Sequence, residues 1–155
     1  MNMHSLFSGI TLSFICLNGF AQTIQSDVPE NTIRHFQPSI QWKQNIPGLP
    51  KGTEMAVLEG NPKSEGLFTL RLKAPAFMTL PVHSHPTHER VTVLDGKIYV
   101  GFGDTFDEAV STAFSPGDYY VNPPQAFHYV YTKSEGAVVQ ITGMGPWQVI
   151  LKDAK

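Results

Sequence analysis

The stretch from Phe77 to Phe102 reads FMTLPVHSHPTHERVTVLDGKIYVGF, and its punctuation decides the fold. Three apolar runs of strand length, Phe77–His83, Glu89–Leu94 and Lys97–Phe102, are separated by Pro86 and by Asp95-Gly96. The runs carry the β-branched and aromatic side chains that fit a pleated, half-buried surface. Proline cannot donate to a sheet ladder, so Pro86 ends the first run. Asp-Gly supplies positive φ for a two-residue turn, which predicts a hairpin between the second and third runs. His83 and His85 alternate, so on a strand both imidazoles project from one face. Glu89 shares its face with Val91 and Val93. A short link returning its strand antiparallel sets the carboxylate beside the two imidazoles.

Outward from this stretch the pattern repeats. Ser39–Lys43, Met55–Glu59, Leu67–Lys73, Tyr119–Asn122, Phe127–Thr132, Ala137–Thr142 and Trp147–Lys152 are further strand-length runs bounded by turn residues. Asp104–Thr112 alone reads as helical, with Thr105 and Glu108 spaced as a capping box over two turns at most. Thirteen Gly and 12 Pro in 155 residues suit short strands and turns rather than a helix bundle. A hydrophobic fraction of 41% against 15% charged excludes a disordered chain. A net charge of −2 marks no nucleic-acid binder. About ten short strands at this spacing predict a small all-β barrel or sandwich.

The chain opens differently. Leu6–Leu17 is apolar and uncharged, too short for a comfortable membrane span but of the length of a signal-peptide core. Gly19-Phe20-Ala21 is a small-x-small pattern that predicts cleavage before Gln22, although the first Lys or Arg is Arg34. The expected organisation is a signal peptide over 1–21, an extended polar arm over 22–50 and a folded domain over 51–153. The single cysteine, Cys16, leaves with the signal peptide, so any metal in the mature chain is held by nitrogen and oxygen. The expected location is periplasmic or secreted, with no membrane association after cleavage.

The mature chain has five histidines: His35, His83, His85, His88 and His128. His83, His85 and Glu89, joined by His128 from a strand near the other end of the domain, form a candidate metal-binding set. Three neutral nitrogens and one carboxylate oxygen suit one divalent ion of Mn, Fe, Co, Ni or Zn. His88 precedes Glu89 and points to the opposite face, while His35 in the arm reads as a surface residue.

These residues resemble the cupin superfamily. Its first motif, G-x5-H-x-H-x3,4-E-x6-G, is met by His83, His85, Glu89 and Gly96. Its second, G-x5-P-x-G-x2-H-x3-N, is met by Gly117, Pro123 and His128. Three positions depart: Phe77 and Gln125 stand where the motifs have Gly, and Thr132 where the second has Asn. The resemblance spans about Gly52 to Lys152 and is nearest to small secreted single-cupin proteins of unassigned activity. It implies a double-stranded β-helix (a jelly-roll barrel) with the ion inside, held by His83, His85, Glu89 and His128.

Strand alternation counted from His83 places Phe77 and Thr79 on the ligand side; counted from His128 it places Val130 and Thr132 there, with Tyr129 and Tyr131 facing away. Gln140 is either a buried polar contact or exposed on an edge, and Arg71 shares a solvated face with Thr69 and Lys73. A cavity walled by Phe, Val and Thr favours a small, weakly polar or aromatic-type ligand. The expected function is a metal-dependent enzyme, oxygenase or isomerase/lyase in type, acting on a small organic molecule. The alternative is a non-catalytic module that binds a small ligand or the metal itself. The aromatic surface of Tyr119, Tyr120, Tyr129, Tyr131, Trp42 and Trp147 is covered either by the arm or by a second copy in a homodimer.

Overall fold

Two antiparallel sheets of five strands face one another in the computed structural model, which describes residues 29–152. The strands are β1 Glu54–Glu59, β2 Gly66–Ala74, β3 Thr79–Ser84, β4 Glu89–Gly96, β5 Ile98–Phe102, β6 Thr112–Phe114, β7 Tyr119–Asn122, β8 His128–Tyr131, β9 Ala137–Gly145 and β10 Ile150–Leu151. The first sheet runs β1-β2-β9-β4-β7 and the second β10-β3-β8-β5-β6. This is the all-β, double-stranded β-helix architecture. Residues 33–152 belong to one compact unit. Leu6–Leu17, Cys16 and the Ala21/Gln22 junction lie outside the described residues. Among the described residues no helix is long and apolar enough to cross a membrane.

The core lies between the sheets and follows the alternation of each strand. Phe68 and Leu70 of β2, Val91 and Val93 of β4, Val100 of β5 and Ile141 of β9 are each at most 3% exposed. Burial of such a side chain contributes about 1.5–3 kcal/mol. Their neighbours in sequence point outward, as Thr69, Arg71, Thr92, Gln140 and Thr142 do.

The chain crosses between sheets where the sequence predicts a hairpin. β4 and β5 do not pair: β4 lies between β9 and β7, and β5 lies in the other sheet beside β8. Asp95-Gly96 is therefore a corner. Gly96 has φ +67°, Lys97 N donates to Gly136 O at 3.0 Å, and a Cβ on Gly96 would stand 2.3 Å from that oxygen. The backbone of the neighbouring turn approaches too closely for any other residue. β3 and β4 likewise belong to opposite sheets, so Glu89 confronts His83 across the barrel rather than beside it on a paired strand.

Asp104–Thr112 is not a helix. A single 3-10 turn, Glu108–Val110, is capped by Asp107, whose Oδ1 accepts from Ala109 N at 2.9 Å, while Thr105 donates to Asp104 instead. This loop covers the outer face of the second sheet. Phe106 packs on Tyr129 and Tyr131, with ring centroids 4.7 and 5.8 Å away, and the Tyr129 hydroxyl donates to Asp107 O. Tyr120, Tyr129 and Tyr131 are thus all buried within one chain. The β5–β6 loop covers the two outward-facing tyrosines, Tyr129 and Tyr131. The stretch Gln37–Lys43 contributes a 3-10 turn and one bridge, Lys43 to Met55, rather than a strand.

Candidate metal centre

Three histidines arrive from the second sheet and one glutamate from the first. His83, last but one in β3, pairs with His128 at the start of β8, and His85 follows just beyond the strand, before Pro86. Glu89 opens β4 directly opposite Asn122 of β7. All five side chains are at most 5% exposed.

Each imidazole is oriented by its own backbone contact. Nδ1 of His83 pairs with Pro81 O at 2.7 Å, that of His85 with Gln148 O at 2.7 Å, and that of His128 with Ala126 O at 3.1 Å. A carbonyl only accepts, so all three rings carry hydrogen on Nδ1 and turn Nε2 inward. One donor atom from each ring lies within 4.8 Å of those of the other two. Glu89 Oε2 stands 3.2 Å from His85 Nε2 and 4.0 Å from His128 Nε2. Asn122 Nδ2 donates to Glu89 Oε2 at 2.8 Å and to His128 Nε2 at 3.0 Å, and Trp147 Nε1 donates to Glu89 Oε1 at 3.0 Å. The carboxylate thereby keeps one oxygen on the indole and turns the other towards the histidines.

The electrostatics follow from burial and neighbours. Desolvation lowers His83 to about 4, helped by the nearby His128 ring. Desolvation also lowers His128. Burial opposes charge on His85 as well, but there the hydrogen bond and charge of Glu89 prevail and raise its pKa. Burial would raise Glu89, yet its hydrogen bond with His85 and the charges around it bring it down to about 2. Glu89 is a carboxylate at neutral pH, and His83 and His128 are neutral bases.

Residues 35–148 match the family described as the ChrR cupin-like domain, well over half of the chain. The chain belongs to this cupin family. A curated relative, germin-like protein subfamily 1 member 1 of Arabidopsis thaliana, is 37% identical over 88 residues, covering 56% of this chain and 35% of the relative's own length. The chain thus matches about a third of that curated relative. Among solved structures, the polyketide cyclase RemF from Streptomyces resistomycificus superimposes with a TM-score of 0.65 at 15% identity, covering 79% of this chain and 86% of the other. The DMSP lyase DddQ from Ruegeria pomeroyi does so with 0.55 at 21% identity, over 76% and 60%. At such identities these likenesses speak for the fold.

The residues of this cupin fit a divalent metal. Two nitrogens bound to one ion at about 2.1 Å are at most about 4.2 Å apart, so inward shifts of a few tenths of an ångström gather the three rings. The buried donors are those a borderline ion prefers, and each ring is fixed through its far nitrogen, as metal-ligating histidines are. His88 is exposed. His35 is exposed too and pairs with Leu58 O.

The walls around the centre differ from strand counting. An apolar chamber of about 50 Å³ adjoins the ligands, lined among others by Leu72, Leu80, Val91, Tyr120, Val130 and Trp147. Val130 lies where alternation places it. Phe77 and Thr79 do not: Phe77 is 77% exposed, Thr79 is exposed, and Met78 and Leu80 line the chamber. The cause is a bulge. Between Leu80 and His83 β3 has one residue more than β8 has between His128 and Val130, so side-chain parity flips. Thr132 is buried but serves the barrel end, accepting from Met78 N at 3.0 Å and donating to Pro75 O at 2.6 Å. Gln140 lies on central β9, outward, and accepts from Arg71 Nε at 3.2 Å. The chamber is small but not sealed: Leu49 and Trp147 also line a neighbouring cavity of about 330 Å³. Trp147, expected on the outer aromatic surface, instead turns its indole to Glu89 and His85; Asn122 escaped the sequence reading, and its only sign is its place just before Pro123.

Proposed function

We propose that this cupin is an exported metalloprotein holding one divalent transition metal through His83, His85, Glu89 and His128, and that it is a metal-dependent enzyme acting on a small organic molecule. The observation that carries the reading is the common tethering of three Nδ1 atoms to backbone carbonyls, which leaves three buried ring nitrogens within 4.8 Å of one another, with Glu89 Oε2 3.2 Å from that of His85. A bound ion would supply Lewis acidity and coordination positions beyond the four protein ligands. The chain itself excludes bulk water with Leu72, Leu80, Val91 and Val130 and orients Glu89 through Trp147 and Asn122. Tyr120, whose pKa burial and then the charge of Glu89 raise well above 10, keeps its hydroxyl proton and can offer it in a hydrogen bond. The reaction is of oxygenase or isomerase/lyase type in this reading. Leu6–Leu17 acts as the export signal in this reading, with 22–50 an arm before the domain at 51–153.

The second reading is a non-catalytic binding cupin, favoured by the small volume of the chamber. Elemental analysis of protein purified without chelator tests the shared core of both. About one equivalent of metal is expected, with His85→Ala and Glu89→Ala losing most of it and His88→Ala almost none. Equal loss from all three variants, or no stoichiometric metal in the parent, rejects the assignment. Turnover of small organic acids by the loaded protein then separates the readings.

A further inference from the structure

Asn122 faces Glu89 directly across β4 and β7 and is 1% exposed. Its Nδ2 commits both hydrogens, one to Glu89 Oε2 at 2.8 Å and one to His128 Nε2 at 3.0 Å. Its Oδ1 is buried and has no partner. Buried amide oxygens are ordinarily paired. The pairing with His128 and a bound ion exclude one another. His128 carries its hydrogen on Nδ1, towards Ala126 O, so Nε2 has a single lone pair that either accepts from Asn122 or binds metal.

We infer that Asn122 is the fifth protein ligand of the ion, through Oδ1, and that the ion is an octahedral one of the Mn, Fe, Co and Ni group. This rests on the metal reading above. Glu89 Oε2 and His128 Nε2 are 4.0 Å apart. With Asn122 Nδ2 at 2.8 and 3.0 Å from them, the three atoms lie on a circle of radius about 2.0 Å, the length of a metal bond to nitrogen or oxygen. The amide atom therefore stands at a coordination position. Donors around an octahedral ion are about 3.0 Å apart when adjacent and about 4.2 Å when opposite; a tetrahedral ion spaces them all near 3.4 Å. The three separations follow the octahedral set. An N–H does not face a cation at bonding distance, but a half-turn of the amide about χ2 exchanges its two ends. Oδ1 then meets the ion, and Nδ2 takes the place where Oδ1 had no partner. The hydrogen bond to His128 is lost to the ion in any case. Five protein donors leave one position of the octahedron for a bound molecule.

The test uses full-length protein loaded with nickel(II) or cobalt(II). Nickel affinity is read by competition with a calibrated chelator in the parent, Asn122→Asp and Asn122→Leu. Aspartate keeps an oxygen at the position and discards the donor, so it binds nickel about tenfold tighter than the parent, while leucine binds it at least about tenfold weaker. Metal-free Asn122→Asp melts about 3 °C or more below the parent, because two carboxylates then face each other where the hydrogen bond was. Cobalt(II) absorbs weakly in the visible when octahedral and intensely when tetrahedral. The parent gives weak bands, and Asn122→Leu, which fills the position and admits no water, gives clearly stronger ones. Nickel held no tighter by Asn122→Asp than by the parent shows that the amide acts as a donor to Glu89, and overturns ligation. Cobalt bands that Asn122→Leu leaves unchanged overturn it as well, and intense bands in the parent overturn the octahedral ion. A parent that takes up neither metal overturns the metal reading itself, and elemental analysis shows this before any variant is compared.

Discussion

Trp147 holds Glu89 in place: the indole Nε1–H donates to Oε1 at 3.0 Å, while the same ring stacks on His85 with centroids 5.5 Å apart and planes 16° from parallel. One side chain beyond β9 therefore fixes two members of the candidate centre. Its hydrogen bond leaves Oε2 as the oxygen facing the histidines. Trp147→Phe keeps an aromatic ring against His85 but frees Oε1. Zinc affinity, read by competition with a calibrated chelator, is expected to fall about 10- to 100-fold, the usual effect of losing such a support. Unchanged affinity would mean that Glu89 needs no help from the indole.

Gly101 is required by Tyr129. The two are cross-strand partners in β5 and β8, and a Cβ on Gly101 would lie 1.8 Å from the tyrosine Cζ. The ring lies flat over the glycine, fully buried, with its hydroxyl on Asp107 O. Gly101→Ala must displace the ring and the loop it anchors, at a cost of about 3 kcal/mol or more in urea unfolding. Tyr129→Phe, which loses only the hydroxyl contact, is expected to cost about 1 kcal/mol. A small effect for Gly101→Ala would mean that the loop yields freely.

Much of this arrangement was legible in the sequence, and the illegible parts have identifiable causes. Alternation located the strands and the inward-facing Val91, Val93 and Val130, because a period of two survives wherever a strand is regular. It failed at Phe77 and Thr79, where one extra residue before His83 reverses parity and leaves no local signature. Asp95-Gly96 marked the place of a bend but not its form or its partners: only Gly96 takes a positive φ, which serves a corner as well as a hairpin, and the close approach of Gly136 decides. The four candidate ligands were readable since their chemistry is in the residue types. Asn122 and Trp147 were not, because an amide and an indole gain their meaning from what they meet in three dimensions.

The two motif glycines replaced in this chain leave a measurable trace. Phe77 has φ +56° and Gln125 φ +62°, the left-handed conformation that a side chain disfavours. Phe77 is also largely exposed, so its ring gains little from burial there. Phe77→Gly is therefore expected to stabilise the protein by about 1 kcal/mol, less the greater freedom glycine has when unfolded. Chemical denaturation measures it, with Phe77→Ala as the control that removes the ring but keeps the Cβ. If alanine stabilises as much as glycine, ring exposure rather than backbone strain is the cause.

Acid should weaken the metal-free protein well before its surface carboxylates titrate. His83 falls from 6.5 unfolded to about 4 folded, so between those values the unfolded chain binds a proton that the folded one refuses. Stability therefore declines as pH drops from 6.5 and levels off near 4, by roughly 3 kcal/mol at about 1.4 kcal/mol per tenfold. His128, also lowered, acts in the same direction. His85, raised, acts oppositely: its contribution is present below 6.5 and is lost as pH rises through its folded value, which offsets part of the decline. Glu89, at 4.5 unfolded and about 2 folded, stabilises fully above 4.5 and loses that contribution as pH falls towards 2. The large shift is that of His83, so urea midpoints of chelator-treated protein should drop as pH falls from 6.5 towards 4, and further below 4.5 as the contribution of Glu89 is lost. His83→Gln, which keeps the polar volume but removes the titration, should flatten the upper part of that curve. A midpoint constant between pH 7 and 4.5 in the parent would show that His83 is not held neutral by its surroundings.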